Sequence, residues 1–290
     1  MTIIKGFDSA TAEVNGQRIA YARGGDGPPV LLLHGFPQTH AMWHVVAPAL
    51  ARDFTVIAAD LRGYGASAKP EGTAAYSFRE MAADQRALMA HLGFGRFHLV
   101  GHDRGGRTAH RLALDAPEVV ETLTLMDIVP THHLLDPLNR QVAQAYYHWF
   151  FLAQPAPFPE TMIAHDPDAY FESTLKGWGS GSLDDFDAAA LDEYRRAWRD
   201  PDAIRGMCAD YRAALSIDFD LDAADLDRRL ACPALILYGE SGAMAKFYDV
   251  PATWKDRLSD MRGAAMPGGH FFVDAAPKET IEALQSFLHR

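Results

Sequence analysis

Asp103 stands at the centre of Gly101-His102-Asp103-Arg104-Gly105. This turn lies between an apolar run (Phe97, Leu99, Val100), which reads as a buried strand, and a helical pattern from Thr108 to Leu114. A strand, a Gly-x-nucleophile-x-Gly turn and a helix hold the central side chain on a sharp, strained bend. Gly101 and Gly105 lack side chains, so strand and helix can approach closely around it. A carboxylate at such a bend is ill suited to attacking an ester, because the product is a reactive anhydride. It suits displacement at a saturated carbon that bears a leaving group, with an alkyl ester on the aspartate as product. The plain alternative is a strand-end Asp that caps the next helix.

A nucleophile of this kind needs a base and an acid to orient that base. His270 lies in the glycine-rich stretch Pro267-Gly268-Gly269-His270 before the last helix and is the candidate base. Asp127 and Glu240, each at the end of an apolar run, are the candidate acids; either can stabilise the imidazolium. Arg104 and Arg107 are three residues apart and face one way at a helix start. Two cations there repel each other and oppose the helix dipole at a cost of about 0.3–1 kcal/mol each when exposed. A bound anion relieves both penalties, and guanidinium matches a carboxylate. The pair therefore implies a substrate carboxylate beside the carbon under attack, or ion pairs with acids elsewhere in the chain. His148, Trp149 and Tyr211 offer N–H and O–H donors to a departing halide. Read as residues alone, they are aromatic core positions, and neighbours such as His148 and Trp149 do not share a helix face.

The elements that must position these groups alternate between strand and helix. Thr11 to Arg23 reads as two strands joined at Asn15-Gly16, a hairpin signal. Val30 to Leu33 is a buried strand ending at His34-Gly35-Phe36-Pro37, where His34 is read as a structural brace. Ala41 to Ala51 reads as a helix, Phe54 to Ala59 as a strand ending at a structural Asp60, and Ser77 to Leu92 as a helix with a Ser77/Glu80 capping box. Thr122 to Met126 is a strand before Asp127. The rhythm breaks over 131–227, an aromatic-rich helical segment read as a cap inserted over the strand ends. It resumes with a strand at Pro233 to Tyr238, a helix near Phe247 to Leu258 and a last helix to Arg290. Residues 1–130 and 228–290 are thus expected to form one α/β core and 131–227 a helical cap.

The 290 residues, 48% hydrophobic, suffice for a substantial core. The net charge of −11, without runs of Lys or Arg, argues against nucleic acid as a partner. Two distant cysteines, Cys208 and Cys232, fit neither a disulfide framework nor a zinc spacing. No signal-peptide pattern and no segment of membrane-spanning length is evident, so a cytoplasmic protein without a membrane partner is expected.

The order Asp103, acid, His270 follows the nucleophile–acid–base order of α/β-hydrolases. In that fold one N–H of the loop after an early strand joins the N–H following the nucleophile as an oxyanion hole; here these are the backbone N–H groups of Phe36 and Arg104. More specifically, the sequence resembles the fluoroacetate (haloacetate) dehalogenases over nearly its whole length. The resemblance is carried by His34-Gly35-Phe36-Pro37-Gln38-Thr39-His40, Gly101 to Arg107, Leu125 to Pro130, Tyr147-His148-Trp149 and Gly268 to Phe271. Arg104 stands where haloalkane dehalogenases and epoxide hydrolases usually carry Trp. The resemblance implies a mostly parallel eight-stranded sheet with helices on both faces and an inserted helical cap. It implies Asp103 as nucleophile, His270 as base and Asp127 as its partner. It further implies Arg104 and Arg107 on the substrate carboxylate, and His148, Trp149 and Tyr211 on the halide. It implies no cofactor, no metal and a homodimer. Glu240 departs from the family pattern. Two other readings are an epoxide hydrolase, which would use cap tyrosines, and a non-catalytic ligand receptor on the same fold.

Overall fold

The computed structural model describes residues 2–179 and 181–289. Its described strands form one sheet in the order β1-β2-β4-β3-β5-β6-β7-β8: β1 Asp8–Val14, β2 Gln17–Gly24, β3 Pro29–Leu33, β4 Thr55–Ala59, β5 Phe97–His102, β6 Val120–Met126, β7 Ala234–Gly239 and β8 Met261–Met266. The β1–β2 and β2–β4 pairs are antiparallel, and the other pairs are parallel. The hairpin turn is the expected Asn15-Gly16, with positive φ at both residues (49° and 70°), as a type I′ turn requires. β3, β4 and β5 are buried almost throughout, which is the pattern of strands covered on both faces.

Between strands lie the short α1 (Val46–Leu50), α2 (Phe78–His91) and α3 (Arg104–Asp115). α3 begins one residue after Asp103, a full turn before the apolar pattern that starts at Thr108. Ser77 caps α2 by accepting from the Glu80 N–H at 3.3 Å. The single helix expected over Ala41 to Ala51 is instead a 3₁₀ turn, His40–Trp43, followed by α1. Thr39 caps that turn and Pro48 sits within α1; a proline supplies no N–H to a continuous helix.

From β6 the chain runs through α4 (Thr131–Leu135), α5 (Arg140–Ala145), α6 (Tyr147–Leu152), α7 (Phe158–His165), α8 (Pro167–Trp178), α9 (Ala188–Trp198) and α10 (Pro201–Ala213). A π-helical turn, Ala214–Asp218, then joins α10 to α11 (Phe219–Ala224). After β7 come α12 (Ala243–Phe247) and α13 (Val250–Thr253), two short helices where one near Phe247 to Leu258 was expected; Asp249 caps the second and Pro251 fills its first turn. β8, Met-Arg-Gly-Ala-Ala-Met, carries no strand signal of its own and pairs only along its β7 edge. α14 (Phe272–Ala275) and α15 (Pro277–Leu288) complete the chain; Arg290, to which the last helix was expected to run, lies outside the described residues. No described helix is long and apolar enough to cross a membrane.

Candidate active site

Sheet register brings the reactive groups to one edge. Leu33 pairs with Gly101, His102 with Met126, and Met126 with Leu237. The loops after β3, β5, β6 and β8 therefore open side by side at the carboxyl ends of the strands, the usual ligand edge of an α/β sheet. The ladder continues into the site: Asp103 N–H donates to Met126 O (3.1 Å) and Asp127 N–H to Leu237 O (2.8 Å). Both aspartates have positive φ, 48° and 51°, a strained conformation for a non-glycine residue. At the elbow, a Cβ on Gly101 would lie 2.3 Å from Gly105 O, and one on Gly105 would lie 2.4 Å from Leu33 O. Only glycine allows strand and helix to meet there.

Asp103 does not cap its own helix with its side chain. Its Oδ1 instead accepts from the Phe36 N–H at 2.9 Å, so the helix-cap alternative fails. Its Oδ2 lies 3.9 Å from His270 Nε2. Burial pushes the Asp103 carboxyl up, but His270, Arg104 and the Phe36 N–H outweigh it and hold it down to about 2. His270 Nδ1–H donates to Asp127 Oδ2 at 2.6 Å, and Asp127 Oδ1 accepts from Gly239 N–H at 2.9 Å. Burial disfavours the imidazolium, but the Asp127 hydrogen bond and the charges of Asp127 and Asp103 raise His270 overall. Glu240 is exposed, and its N–H donates to Met266 O; it is Asp127 that meets the imidazole. His34, read as a brace, accepts from Leu61 N–H at its Nε2 (3.1 Å). Asp60 accepts from the His40 and Ala66 N–H groups, consistent with a structural part.

Two clamps on His270 were not legible in the sequence. His102 Nε2–H donates to His270 O at 2.8 Å, and His270 N–H donates to Trp178 O at 2.9 Å. Burial and the His270 charge lower His102 to about 4, so it is neutral. A third tie joins the Phe36 loop to the helical segment and to α14: Gln38 Nε2–H donates to both Tyr194 Oη (3.0 Å) and Asp274 Oδ2 (2.9 Å).

The arginines divide. Arg104 is fully buried and makes a two-pronged ion pair with Asp210 of α10, through Nε at 2.9 Å and through Nη2. Tyr64 O–H donates to the same carboxylate at 2.7 Å. For Arg104 the ion-pair alternative applies: it is neutralised by an acid of the 131–227 helical segment. Arg107 has no carboxylate partner among the described residues; its Nη1 donates to Val129 O and Thr131 Oγ1 at 3.1 and 3.0 Å. Burial, then the Arg104 charge, lowers Arg107. Arg104 Nη1 and Arg107 Nε have no hydrogen-bond partner in the protein.

Tyr211 gathers the three donor candidates. Its ring lies 5.6 Å from His148, 5.4 Å from Trp149 and 4.1 Å from the Arg104 guanidinium carbon. His148 and Trp149 are adjacent on the one-and-a-half-turn α6, yet both edge against Tyr211 because α10 crosses beside it. Tyr211 Oη and His148 Nδ1 are buried without a hydrogen-bond partner, and burial keeps His148 well below its ordinary value, hence neutral. A cavity of ≈ 170 Å³ reaches Asp103, His270, Tyr146, His148 and Trp178. Arg104, Arg107, Trp149 and Tyr211 are not among the residues that line it. Tyr146, a cap tyrosine of the epoxide reading, is on the cavity wall, as is Trp178, which the sequence did not single out as a site residue.

An eight-stranded, mostly parallel sheet with an Asp elbow at its carboxyl edge defines a class, and the sequence comparison agrees with it: the profile of the alpha/beta hydrolase fold matches residues 28–277. The chain belongs to the α/β-hydrolase superfamily and, within it, to the fluoroacetate dehalogenase family. It is 53% identical to a fluoroacetate dehalogenase of Burkholderia sp over 99% of this chain and 95% of the relative. A soluble epoxide hydrolase of Corynebacterium sp. (strain C12) is 34% identical over 95% of both chains. A crystal structure from Nostoc sp PCC 7120, provisionally assigned as an alpha/beta hydrolase, superposes with a TM-score of 0.96 at 46% identity, covering 98% of this chain and 99% of that one.

Proposed function

We propose that the protein is a hydrolytic dehalogenase that converts fluoroacetate or other 2-haloacetates to glycolate and halide through an ester on Asp103. One observation carries the reading. Three buried donors, on Arg104, Tyr211 and His148, lack partners in the protein, and all three, with the uncompensated Arg107 charge, interact with the Asp103 charge. An unpaired buried donor costs about 1–3 kcal/mol, and an anion beside Asp103 answers several at once. With Arg104 neutralised by Asp210, Arg107 leaves one net positive charge, which suits one carboxylate. The arginines hold that carboxylate; His148, Trp149 and Tyr211 donate to the halide.

Asp103 Oδ2, the oxygen not held by Phe36, bonds to C2 as the carbon–halogen bond breaks and halide leaves with the electron pair. Donors placed where the halide charge develops lower the barrier. The ester leaves Asp103 uncharged, so His270 loses one of the charges that held its proton and its neutral form, the one able to accept a proton, becomes available. It takes a proton from water as that water attacks Cγ. Negative charge then grows on Oδ1, which already accepts from the Phe36 N–H; the Arg104 N–H is the second donor. Collapse expels the glycolate alkoxide, which takes the proton from His270, and the second water proton, left on the Asp103 carboxyl, passes to solvent as the carboxylate re-forms. Homodimerisation and the absence of a cofactor belong to the same proposal through the family likeness, and a cytoplasmic location through the sequence reading above.

The test is fluoride release from fluoroacetate, with Asp103→Ala as control. Release that vanishes in Asp103→Ala, a loss of about 10⁴-fold or more, is the expected result. Turnover of a neutral epoxide with no halide from fluoro- or chloroacetate would replace it by epoxide hydrolysis, with Tyr146, Tyr147 and Tyr211 as the candidate proton donors. Binding without turnover of either would leave a receptor.

A further inference from the structure

Behind Arg107 lies a second, much smaller cavity of ≈ 20 Å³ between α3 and the π-helical turn with α11. Arg107, His110 and Arg111 face it from α3, and Asp218 and Asp222 from the opposite element, with Thr131 at its side. Two of these groups are already satisfied. Thr131 Oγ1 accepts from Arg107 Nη1, and Asp222 accepts from the His132 N–H at 2.8 Å and pairs with Arg257 at 3.3 Å. Four buried atoms are left without a hydrogen-bond partner in the protein: Arg107 Nε, Arg111 Nε, His110 Nε2 and Asp218 Oδ2. Two are N–H donors and two are acceptors when the His110 proton sits on Nδ1.

That inventory matches one water molecule, which accepts two hydrogen bonds and donates two. The space also matches, since one water needs roughly 10–15 Å³ of this measure and two to four polar partners. We propose that this cavity holds a single structural water that accepts from Arg107 and Arg111 and donates to Asp218 and His110, and that it positions the Arg107 guanidinium for the substrate carboxylate. The second half rests on the reading of Arg107 given above. Asp218 is suited to anchor the water: its Oδ1 accepts from Phe78 N–H, the first N–H of α2, at 2.8 Å. The π-helical turn and α11 present Asp218 and Asp222 to one face of α3, and π-helical turns recur at functional sites. Burial pushes the Asp218 carboxyl up to about 8, against the Phe78 N–H and the charges of Arg104 and Arg111; a donated hydrogen bond from the water favours the carboxylate form that accepts it. Burial lowers His110 to about 4, so its ring is a neutral acceptor.

The experiment is a crystal structure of the whole protein at about 1.5 Å or better, joined to kinetics of two variants. One ordered water within about 3.2 Å of Arg107 Nε and Asp218 Oδ2 is expected; no peak there, or a peak that touches neither, overturns the proposal. Asp218→Leu fills the cavity and expels the water. It is expected to raise KM for fluoroacetate by about tenfold, the scale of one charge-assisted hydrogen bond, with kcat changed by less than about twofold. Asp218→Asn keeps an acceptor and restores KM. An unchanged KM in a folded Asp218→Leu enzyme removes the positioning role. If that variant does not fold, His110→Leu deletes the opposite acceptor and gives the same KM-only effect or overturns it. An inactive wild type with the water in place would sink the dehalogenase reading and leave the water site standing.

Discussion

The two halves of the active site are built to opposite rules. On the sheet side, Asp103, Asp127 and His270 are tied to defined partners: Phe36 N–H, Gly239 N–H, and the Asp127–His270 bond. Backbone ladder bonds and two further clamps on His270 hold them from behind. On the helical side, Arg104, His148 and Tyr211 keep buried donors unanswered, and Arg107 has no carboxylate partner among the described residues. The sheet half is preorganised around charges it already contains. The helical half is polarised for a charge that arrives with the substrate and another that forms as halide leaves. Polar groups that are satisfied at rest add rigidity, whereas unpartnered ones cost stability and hold it in reserve for binding.

Breaking the sheet half should have the larger effect. His270→Ala removes the base of the second step only, so turnover should fall by about 10²–10⁴-fold while the ester accumulates. Intact-protein mass spectrometry should then show Asp103 heavier by one carboxymethyl group. Unmodified Asp103 in an equally slow enzyme would mean that His270 acts before or outside ester formation.

Tyr211→Phe probes the helical half without changing its volume much. Deleting one donor to a charged group, worth about 1.5–3 kcal/mol, should slow fluoride release by about 10–100-fold. Bromoacetate, whose leaving group needs less help, should suffer less. Equal losses for both halides would assign Tyr211 to packing alone.

The smallest effect sharpens the boundary between the halves. Burial raises Asp274 to about 7, above the ~3.9 of an unfolded Asp. The folded chain thus binds the extra proton between about pH 4 and 7, and stability falls as pH rises through that window. Asp274→Asn cannot ionise and still accepts from Gln38. Its melting temperature should drop less between pH 5 and 7.5 than the wild type's, by about 2–4 °C. Parallel curves would place that titration elsewhere.

Short-range patterns determined a good deal by themselves. The glycine spacing around Asp103, the apolar runs of β3 to β7 and the glycine-rich approach to His270 are local features. Local chemistry dictates them: a strained elbow needs glycines, and a doubly covered strand needs an unbroken apolar run. The family likeness was legible for the same reason, since its motifs sit at those turns. β8 escaped because Met-Arg-Gly-Ala-Ala-Met owes its strand to pairing with β7 rather than to its own side chains.

What lies at long range was decided only by the tertiary structure. Asp127 rather than Glu240 reaches His270 because β6 leads the chain to the imidazole, while Glu240 turns outward after β7. Arg104 finds Asp210 across 106 residues, and that pair turned two apparently free cations into one. The four atoms around the small cavity come from two elements, α3 and the π-helical turn, that are more than a hundred residues apart in sequence. Hydrogen bonds and ion pairs depend on separations of about 3 Å, and sequence periodicity carries the face of an element but not the partner that meets it.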